Sequence, residues 1–171
     1  MQEIYVENIK EILRNKNKLV NDLKIKLNNK GKNFFIDGDA ENVYLAGKVF
    51  EAINSGFSAL NALELTQEGK MFSSINIRDI TKRKDLERIR GRIIGKLGKT
   101  LNTLSRLTNC LLAVHNNIVG IIGDAEDIED AIQSITSLIN GSKQGNVYAR
   151  LEKLKKKKDF FYKVPIVNKK N

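Results

Sequence analysis

A faint internal repeat restricts the fold of this chain more than any other feature of its sequence. Gly38-Asp39-Ala40-Glu41 recurs 85 residues later as Gly123-Asp124-Ala125-Glu126, and a helical pattern follows each copy. The two patterns also end alike, in Ile-Asn-Ser-Gly at 53–56 and Leu-Ile-Asn-Gly at 138–141. Self-similarity over this distance indicates one supersecondary unit that occurs twice, the alternative being chance similarity between two amphipathic stretches. We therefore expect two modules of about 70 residues, joined by a linker with a short helix of its own.

The second copy carries the clearer secondary-structure signals. Apolar residues three and four positions apart predict its last helix, with Asp124 at the N-cap, acidic residues in the first turns and Gly141 after the end. Asn116-Asn117 marks a hairpin turn between two short apolar strands. The elements read strand, helix, helix, strand, strand, helix, with predicted bounds Phe72–Asp79, Leu86–Ile94, Lys99–Thr108, Cys110–Val114, Ile118–Ile122 and Asp124–Asn140.

The first copy follows the same order more weakly. Its strands are predicted at residues 24–27 and 33–37 with a turn at 29–31, and its long helix at Asn42–Asn54. A short helix, Lys18–Leu23, follows the segment Arg14-Asn15-Lys16-Asn17. That segment stands where the second copy has Gly95-Lys96-Leu97-Gly98, but it contains no glycine.

The Gly-x-x-Gly segment of the second copy suits the binding of a phosphate backbone. Glycine lacks a Cβ and reaches positive φ, so another backbone can approach it closely. The helix that begins at Lys99 presents its first free N–H groups at the same place. Lys96 and Lys99 add positive charge there, and three arginines lie close in sequence: Arg90, Arg92 and Arg106.

The charge is unevenly distributed along the chain. The formal net charge is +10 and the pI about 9.7, yet residues 1–80 are neutral and residues 107–142 hold five acidic and no basic side chains. The excess lies in residues 81–106, with nine basic and two acidic side chains, and in residues 143–171, with ten and two. Clustered positive charge favours a polyanionic partner, the alternative being a solvated lysine-rich surface.

Several protein classes are excluded by composition. One cysteine and one histidine can build neither a disulfide framework nor a zinc site, and no apolar run approaches the roughly 20 residues of a membrane span. The N-terminus MQEIYVENIKEIL has no apolar core of a secretory signal. We expect a cytoplasmic protein that has no metal, cofactor or membrane partner.

A nucleotide-hydrolysing enzyme is the alternative reading of the same glycine segment. Gly98-Lys99-Thr100 resembles the end of a Walker A loop, but Ile93 stands where the first glycine belongs. A helix, not a strand, is predicted before the loop. No catalytic constellation is found elsewhere, because the acidic residues at 124–130 belong to a helix N-terminus and His115 to a strand. We expect no enzymatic activity.

The arrangement of helix, Gly-x-x-Gly, helix, hairpin and long helix resembles the KH RNA-binding domain. Such a domain clamps the backbone of about four single-stranded nucleotides with this loop. The resemblance implies an α+β fold with two tandem type I KH domains (β-α-α-β-β-α), the first of them degenerate. Without a glycine loop, the first copy would serve as a scaffold or a protein-binding face. The candidate RNA-binding residues are Arg90, Arg92, Ile94, Gly95, Lys96, Leu97, Gly98, Lys99 and Arg106.

The linker and the C-terminal segment extend the resemblance to one family. The linker SGFSALNAL at 55–63, the loop GRIIGKLGKT at 91–100 and the segment GNVYARLE at 145–152 resemble the archaeal members of the KH small-subunit assembly factor family, whose eukaryotic relatives are the partner-of-Nob proteins. This implies binding to the 3′ end of small-subunit rRNA. It also implies cooperation with a PIN-domain endonuclease and a link to the α subunit of initiation factor 2.

The expected organisation follows from these patterns. We predict a degenerate KH domain at 1–56, a helical linker at 57–70, a KH domain with the glycine loop at 71–142 and a basic helix and tail at 143–171. Within the last segment Val147–Leu154 predicts a helix, and Lys155–Lys158 would add phosphate contacts or form a frayed, solvated tail. The aromatic run Phe160-Phe161-Tyr162 is compatible with docking of this segment on another surface. The alternative functions are a protein-interaction adaptor or a general single-stranded RNA-binding KH protein in translation.

Overall fold

The computed structural model describes residues 1–163, in which each half of the chain forms a three-stranded antiparallel sheet with helices on one face. The first module contains β1 (Gln2–Tyr5), α1 (Ile9–Arg14), α2 (Lys16–Leu23), β2 (Lys26–Lys30), β3 (Asn33–Asp37) and α3 (Ala40–Asn54). The linker forms α4 (Ala59–Ala62) and a 3-10 turn (Leu63–Thr66). The second module contains β4 (Met71–Asn76), α5 (Ile77–Ile80), α6 (Leu86–Ile94), a 3-10 turn (Lys96–Gly98), α7 (Lys99–Thr108), β5 (Leu111–His115), β6 (Ile118–Gly123) and α8 (Ala125–Ile139), and α9 (Gln144–Lys163) follows it.

The two sheets share one topology. The strand order is β1-β3-β2 in the first module and β4-β6-β5 in the second, and the last strand of each module lies in the centre. In each sheet the two strands of the hairpin are joined by antiparallel pairing, and the first strand pairs with the far side of the central one. The repeat that the sequence indicates is therefore present in the element order and in the strand order.

Successive side chains of a strand point to opposite faces of the sheet, and this alternation decides what each face of the second sheet covers. Val119 and Ile121 of β6 are buried against α6, α7 and α8 together with Ile93 and Leu104. Ile122, the next residue of β6, faces the other way and joins the core of the first module. The second sheet is thus buried on both faces, which explains why β6 reads as a continuous apolar run.

Gly120 allows the first module to pack closely on this outer face. A Cβ on Gly120 would lie 2.8 Å from Cε2 of Phe57 and would collide with the side chain of Ser55. Both residues lie between the end of α3 and the start of α4. Only a residue without a side chain fits here, so the position of the first module depends on this glycine.

The predicted helices of the second module are confirmed, but the predicted end of its first strand is wrong. Leu86–Ile94 and Lys99–Thr108 form α6 and α7 with the predicted bounds. The strand predicted over Phe72–Asp79 ends at Asn76, where the Asn76 side chain accepts a hydrogen bond from the Arg78 N–H at 3.0 Å and starts the short helix α5.

The first module differs more from its prediction. The strand β1 was missed, since four residues are too few for a periodic pattern. The predicted segment 14–17 is not a loop, because α1 ends at Arg14 and α2 begins at Lys16 with only Asn15 between them. The Asn15 side chain donates to the Glu11 carbonyl at 2.9 Å and stiffens this joint. The strand predicted at 24–27 is β2 at Lys26–Lys30, because Lys24 ends α2 in the left-handed conformation.

The C-terminal helix is longer than the predicted Val147–Leu154. Val147 and Leu151 bury it against α7 and α8. Lys158, predicted to contact phosphate or to lie in a frayed tail, donates to Asp130 at 2.8 Å and to Asp127 at 3.0 Å. Phe160, Phe161 and Tyr162 are exposed at its end. Of the helices in residues 1–163, none has the length and apolar character needed to cross a membrane.

Candidate nucleic-acid interface

The glycine loop is held in a conformation that other residues cannot adopt without strain. Gly95 and Gly98 both have φ of +74°, and the Gly95 N–H donates to the Gly91 carbonyl at 2.8 Å to close α6. A Cβ on Gly95 would lie 2.8 Å from the backbone nitrogen of Thr100 and would collide with its side chain. The loop therefore turns sharply and brings the start of α7 against the end of α6.

The tip of the loop is exposed and strained. Lys96 is exposed, and the side chain of Leu97 is 96% exposed although Leu97 has φ of +53°. A leucine in this region costs about 1–2 kcal/mol. Strain combined with an apolar side chain in water is typical of a residue that acts by contacting a partner.

The N-terminus of α7 opens next to this tip. Among residues 1–163 no side chain caps α7, and Lys99 is exposed in its first turn. The positive end of the helix dipole, its N–H groups and the ammonium groups of Lys96 and Lys99 then act on the same region. The arrangement can hold a phosphate group without any catalytic side chain.

Four apolar side chains on α6, α7 and β5 are only partly buried, and we call the surface that they form the apolar groove. Leu101 of α7 and Leu112 and Val114 of β5 are partly buried against the core of the second module. Ile94, at the end of α6, is also only partly buried. In the described part of the chain β5 is an edge strand, so the backbone groups on its outer side have no partner strand. Apolar side chains beside free backbone groups can receive unstacked bases.

The arginines lie in three different environments. Arg90 donates to the Asn117 side chain at 2.8 Å and ties α6 to the β5–β6 turn. Arg92 donates to the carbonyls of Leu138 at 3.1 Å and Ser142 at 2.6 Å, so its guanidinium caps the C-terminus of α8. Arg106 lies in the last turn of α7, about 10 Å along the helix from Lys99, and lines a separate cleft with Asn61, Glu64 and Lys70. The structure thus groups Gly95–Lys99 and Ile94 at the loop. It engages Arg90 at the β5–β6 turn and Arg92 at the end of α8, and it places Arg106 in the last turn of α7.

Two residues beneath the loop were missed by the sequence analysis. Gln144, at the start of α9, donates to the Thr100 hydroxyl at 3.1 Å and to the Arg92 carbonyl at 3.2 Å. Thr100 is buried, and its packing on Gly95 gives the Gly-Lys-Thr string a structural role in a loop that follows a helix. No local signal identifies Gln144, because its partners lie 44 and 52 residues away.

Residues 71–156 match the family model of the second KH domain of PNO1, described as a eukaryotic-type, type I KH domain. The fold is similar to the crystal structure of Dim2p from Pyrococcus horikoshii, with a TM-score of 0.81 and 31% identity over 90% of this chain and 99% of that one. The chain belongs to the Dim2/PNO1 family of KH proteins. The type I KH fold predicted for the second module is confirmed.

Other members of the Dim2/PNO1 family support the assignment. The chain is similar to the aDim2p of a crystallised a/eIF2α–aDim2p–rRNA complex from the same organism, with a TM-score of 0.84 and 30% identity over 91% of this chain and 94% of that one. It is 30% identical over 116 residues to a KH domain-containing protein of Methanocaldococcus jannaschii, covering 67% of this chain and 51% of the relative. It is 31% identical over 109 residues to the RNA-binding protein pno1 of Dictyostelium discoideum, covering 62% and 46%. The chain spans about half the length of these curated relatives.

Proposed function

We propose that this chain is an RNA-binding factor in small ribosomal subunit assembly, which holds the single-stranded 3′ end of small-subunit rRNA on its second module. The observation that carries the proposal is the loop Gly95–Gly98, with its strained and exposed Leu97, at the open N-terminus of α7. The excess of seven positive charges in residues 81–106 supports the same partner.

In this proposal each candidate residue has a defined part. Gly95 and Gly98 let the RNA backbone approach, and Lys96 and Lys99 neutralise phosphates. Leu97 contacts the ribose or base that follows, and Ile94 borders the groove that takes the bases. Arg90 closes the far side of the groove, Arg92 orders the end of α8 behind the loop, and Arg106 extends the basic surface along α7.

The first module is proposed to be a degenerate KH domain that does not clamp RNA. Its element order and strand order repeat those of the second module, which supports two tandem type I KH domains at 1–56 and 71–142. The direct joint of α1 and α2 at Asn15 leaves no loop that a phosphate could approach. Residues 57–70 act as the linker. Within the segment 143–171, α9 packs against α7 and α8 of the second domain, and residues 164–171 lie outside the described part of the chain.

The partners follow from the family. A relative forms a complex with a/eIF2α and rRNA, and others are named as RNA-binding or pre-rRNA-processing proteins. For this chain we propose the same two partners, rRNA and the α subunit of initiation factor 2. From the family resemblance we add a PIN-domain rRNA endonuclease as a third. The chain would act in the cytoplasm by holding RNA for an enzyme and would not itself catalyse a reaction.

A fluorescence-anisotropy titration tests this function. The ligand is a short single-stranded RNA with the 3′ end sequence of small-subunit rRNA, beside a scrambled RNA, at two salt concentrations. Lys96→Asp/Leu97→Asp is expected to weaken binding at least tenfold. The matched control, Lys10→Asp/Leu13→Asp, changes the same residue types at exposed positions of α1 and should bind like the wild type. Equal binding of both RNAs by all three proteins would contradict the proposal and favour a protein-interaction adaptor.

A further inference from the structure

The strand β4 forms the edge of the second sheet that lies opposite the apolar groove. The strand order β4-β6-β5 puts β5 beside the groove and β4 at the other edge. β4 pairs with β6 without a bulge, from Met71 opposite Gly123 to Asn76 opposite Ile118. Among residues 1–163 no strand pairs with its other side. A row of backbone N–H and C=O groups on β4 is therefore available to another chain.

The sequence of β4 lacks the features that usually keep a strand edge from pairing. Protected edges are short, carry charged residues or proline, or contain a bulge. The edge strands of the first module follow this rule, because β1 has only four residues and β2 carries Lys26 and Lys30. β4 has six residues, none of them charged and none a proline. Its composition therefore suits the addition of a strand.

A cleft of about 290 Å³ lies beside this edge, and we call it the β4 cleft. Its floor is the outer face of the second sheet, and its wall is the end of α3. The lining residues are Glu51, Asn54, Ser55, Phe72, Ser74 and Ile118. The volume is just below the range of about 300–1,000 Å³ that is typical of small-molecule sites, and it suits one large side chain.

The interior of the β4 cleft is suited to an apolar group. Ile118 is half-buried but belongs to neither hydrophobic core of the described residues, and Phe72 is only partly buried against the first core. The polar residues of the wall already have partners. The Asn54 amide bonds to backbone groups at and after the end of β1, and the Ser55 hydroxyl donates to a carbonyl of α3 at 2.8 Å. An apolar side chain would thus cover Ile118 and Phe72 without leaving a buried polar group unpaired.

The charge at the rim of the cleft disfavours a nucleic acid. Of the described residues that line the cleft, only Glu51 is charged, so a phosphate is repelled and a lysine or arginine is attracted. Glu51 forms an exposed ion pair with Lys48 at 3.0 Å, which engages only Oε2 of the carboxylate. The second oxygen can therefore accept a hydrogen bond from a basic side chain of a partner.

A second copy of this chain would not fill the cleft. Side chains of a strand that pairs with β4 reach the cleft only from the outer face of the sheet, which in β4 itself holds Phe72, Ser74 and Asn76. Phe72 is already packed against the first core, and the other two are polar. The cleft therefore fits the side chain of a different protein.

We infer that the edge of β4 binds an extended segment of a partner protein, which adds a strand to the sheet, inserts one apolar side chain into the β4 cleft and places a lysine or arginine near Glu51. In such strand addition, backbone hydrogen bonds give affinity and a pocket for an alternate side chain gives specificity. The residue opposite Ser74 points to the same face as Ser74 and so toward the cleft. The inference goes beyond the proposed function, because this site lies across the sheet from the apolar groove.

Peptide selection on the full chain provides the probe. Random peptides somewhat longer than β4 are displayed on phage and selected on the immobilised protein, and the selected peptides are synthesised and titrated. They should share an apolar residue with a lysine or arginine nearby. Ser74→Lys brings a charge to the edge and to the cleft, and it should weaken their binding roughly tenfold, as expected for one or two lost backbone hydrogen bonds. The matched control Asn28→Lys, at an exposed position of the edge strand β2, should bind them like the wild type.

Two further measurements test the cleft and the strand separately. Ile118→Ala removes part of the cleft floor without altering either core, so peptide affinity should fall several-fold with little change in Tm. N-Methylation of the peptide at every second residue should abolish binding, whereas methylation of the intervening residues should have a much smaller effect. This alternation is expected because only alternate N–H groups of an added strand face its neighbour.

The outcomes separate this inference from the proposed function. None of the three variants should weaken binding of the rRNA oligonucleotide. If the selection yields no peptide whose affinity falls in Ser74→Lys, or if N-methylation shows no alternation, the inference is wrong while the proposed function stands. If sedimentation shows dimers that Ser74→Lys dissociates, the edge pairs with a second copy and the inference is also wrong. Loss of RNA binding by the wild type would refute the proposed function alone.

Discussion

The side-chain amide of Gln144 lies 3.1 Å from the hydroxyl of Thr100 and 3.2 Å from the carbonyl of Arg92. One hydrogen-bond donor at the start of α9 therefore contacts both helices that flank the glycine loop. Arg92 reinforces the link by donating to Leu138 and Ser142, which precede α9. The loop is thus ordered from beneath by the segment that runs from the end of α8 to the start of α9.

Gln144→Ala is expected to loosen the loop. The lost hydrogen bonds correspond to about 1 kcal/mol, so RNA affinity should fall several-fold with a small decrease in Tm. Hydrogen exchange of the Lys96 and Leu97 amides, measured without RNA, should become faster. The control Asn146→Ala, at an exposed position of the same helix turn, should change neither. Unchanged exchange in Gln144→Ala would show that Gln144 does not position the loop.

Gly95→Ala is expected to destabilise the protein by roughly 1–3 kcal/mol, because alanine disfavours φ of +74° and its Cβ meets Thr100. The control is Gly91→Ala, four residues earlier in α6, where an added Cβ meets nothing within 4 Å. Alanine at this helical position should stabilise by about 0.5–1 kcal/mol. Urea unfolding of the two variants measures the contrast, and equal free energies of unfolding would refute this account of the loop.

Lys158→Ala is expected to lower the free energy of unfolding by about 1–2 kcal/mol, between the values for exposed and buried ion pairs. Burial lowers the pKa of Lys158, but hydrogen bonds and charges from Asp130 and Asp127 outweigh it and raise the pKa above its usual value. A raised lysine pKa gives stability that is fully present below about pH 10 and lost as the pH rises further. Lys156→Ala, at an exposed neighbouring position, should leave the free energy of unfolding unchanged. A similar decrease in both variants would argue against a stabilising role of the ion pairs that Lys158 forms with Asp127 and Asp130.

The Cys110 thiol is expected to react slowly in the native protein. Burial raises its pKa to about 11, because the thiolate loses its solvation in the buried site. Little thiolate then forms at pH 8. Labelling with a disulfide reagent should be much slower than in urea, and its rate should follow global unfolding. Rapid native labelling would mean that Cys110 is not buried as described.

The sequence predicts best those elements whose signals are local. The bounds of α6 and α7 follow from an amphipathic pattern that glycines interrupt, and the hairpin turn follows from Asn116-Asn117. The strand β1 is not predicted from the sequence, because only its pairing with β3 defines these four residues as a strand. The contacts of Arg92 and Lys158 within the protein are not predicted for the same reason, since their partners lie 46 and 28 residues away in the sequence. The sequence analysis places Arg92 among the RNA-binding residues and leaves Lys158 between a phosphate contact and a solvated tail, whereas the structure shows the contacts that both side chains make within the protein.

The most direct test of the central claim is an NMR titration of the ¹⁵N-labelled chain with the short rRNA 3′ end oligonucleotide. The account predicts that the largest chemical-shift changes occur at the amides of Gly95–Lys99 and along β5, with little change in α1 and α2. Saturable shifts confined to the first module or to the end of α9, with the glycine loop unaffected, would contradict the claim that the second module holds the RNA.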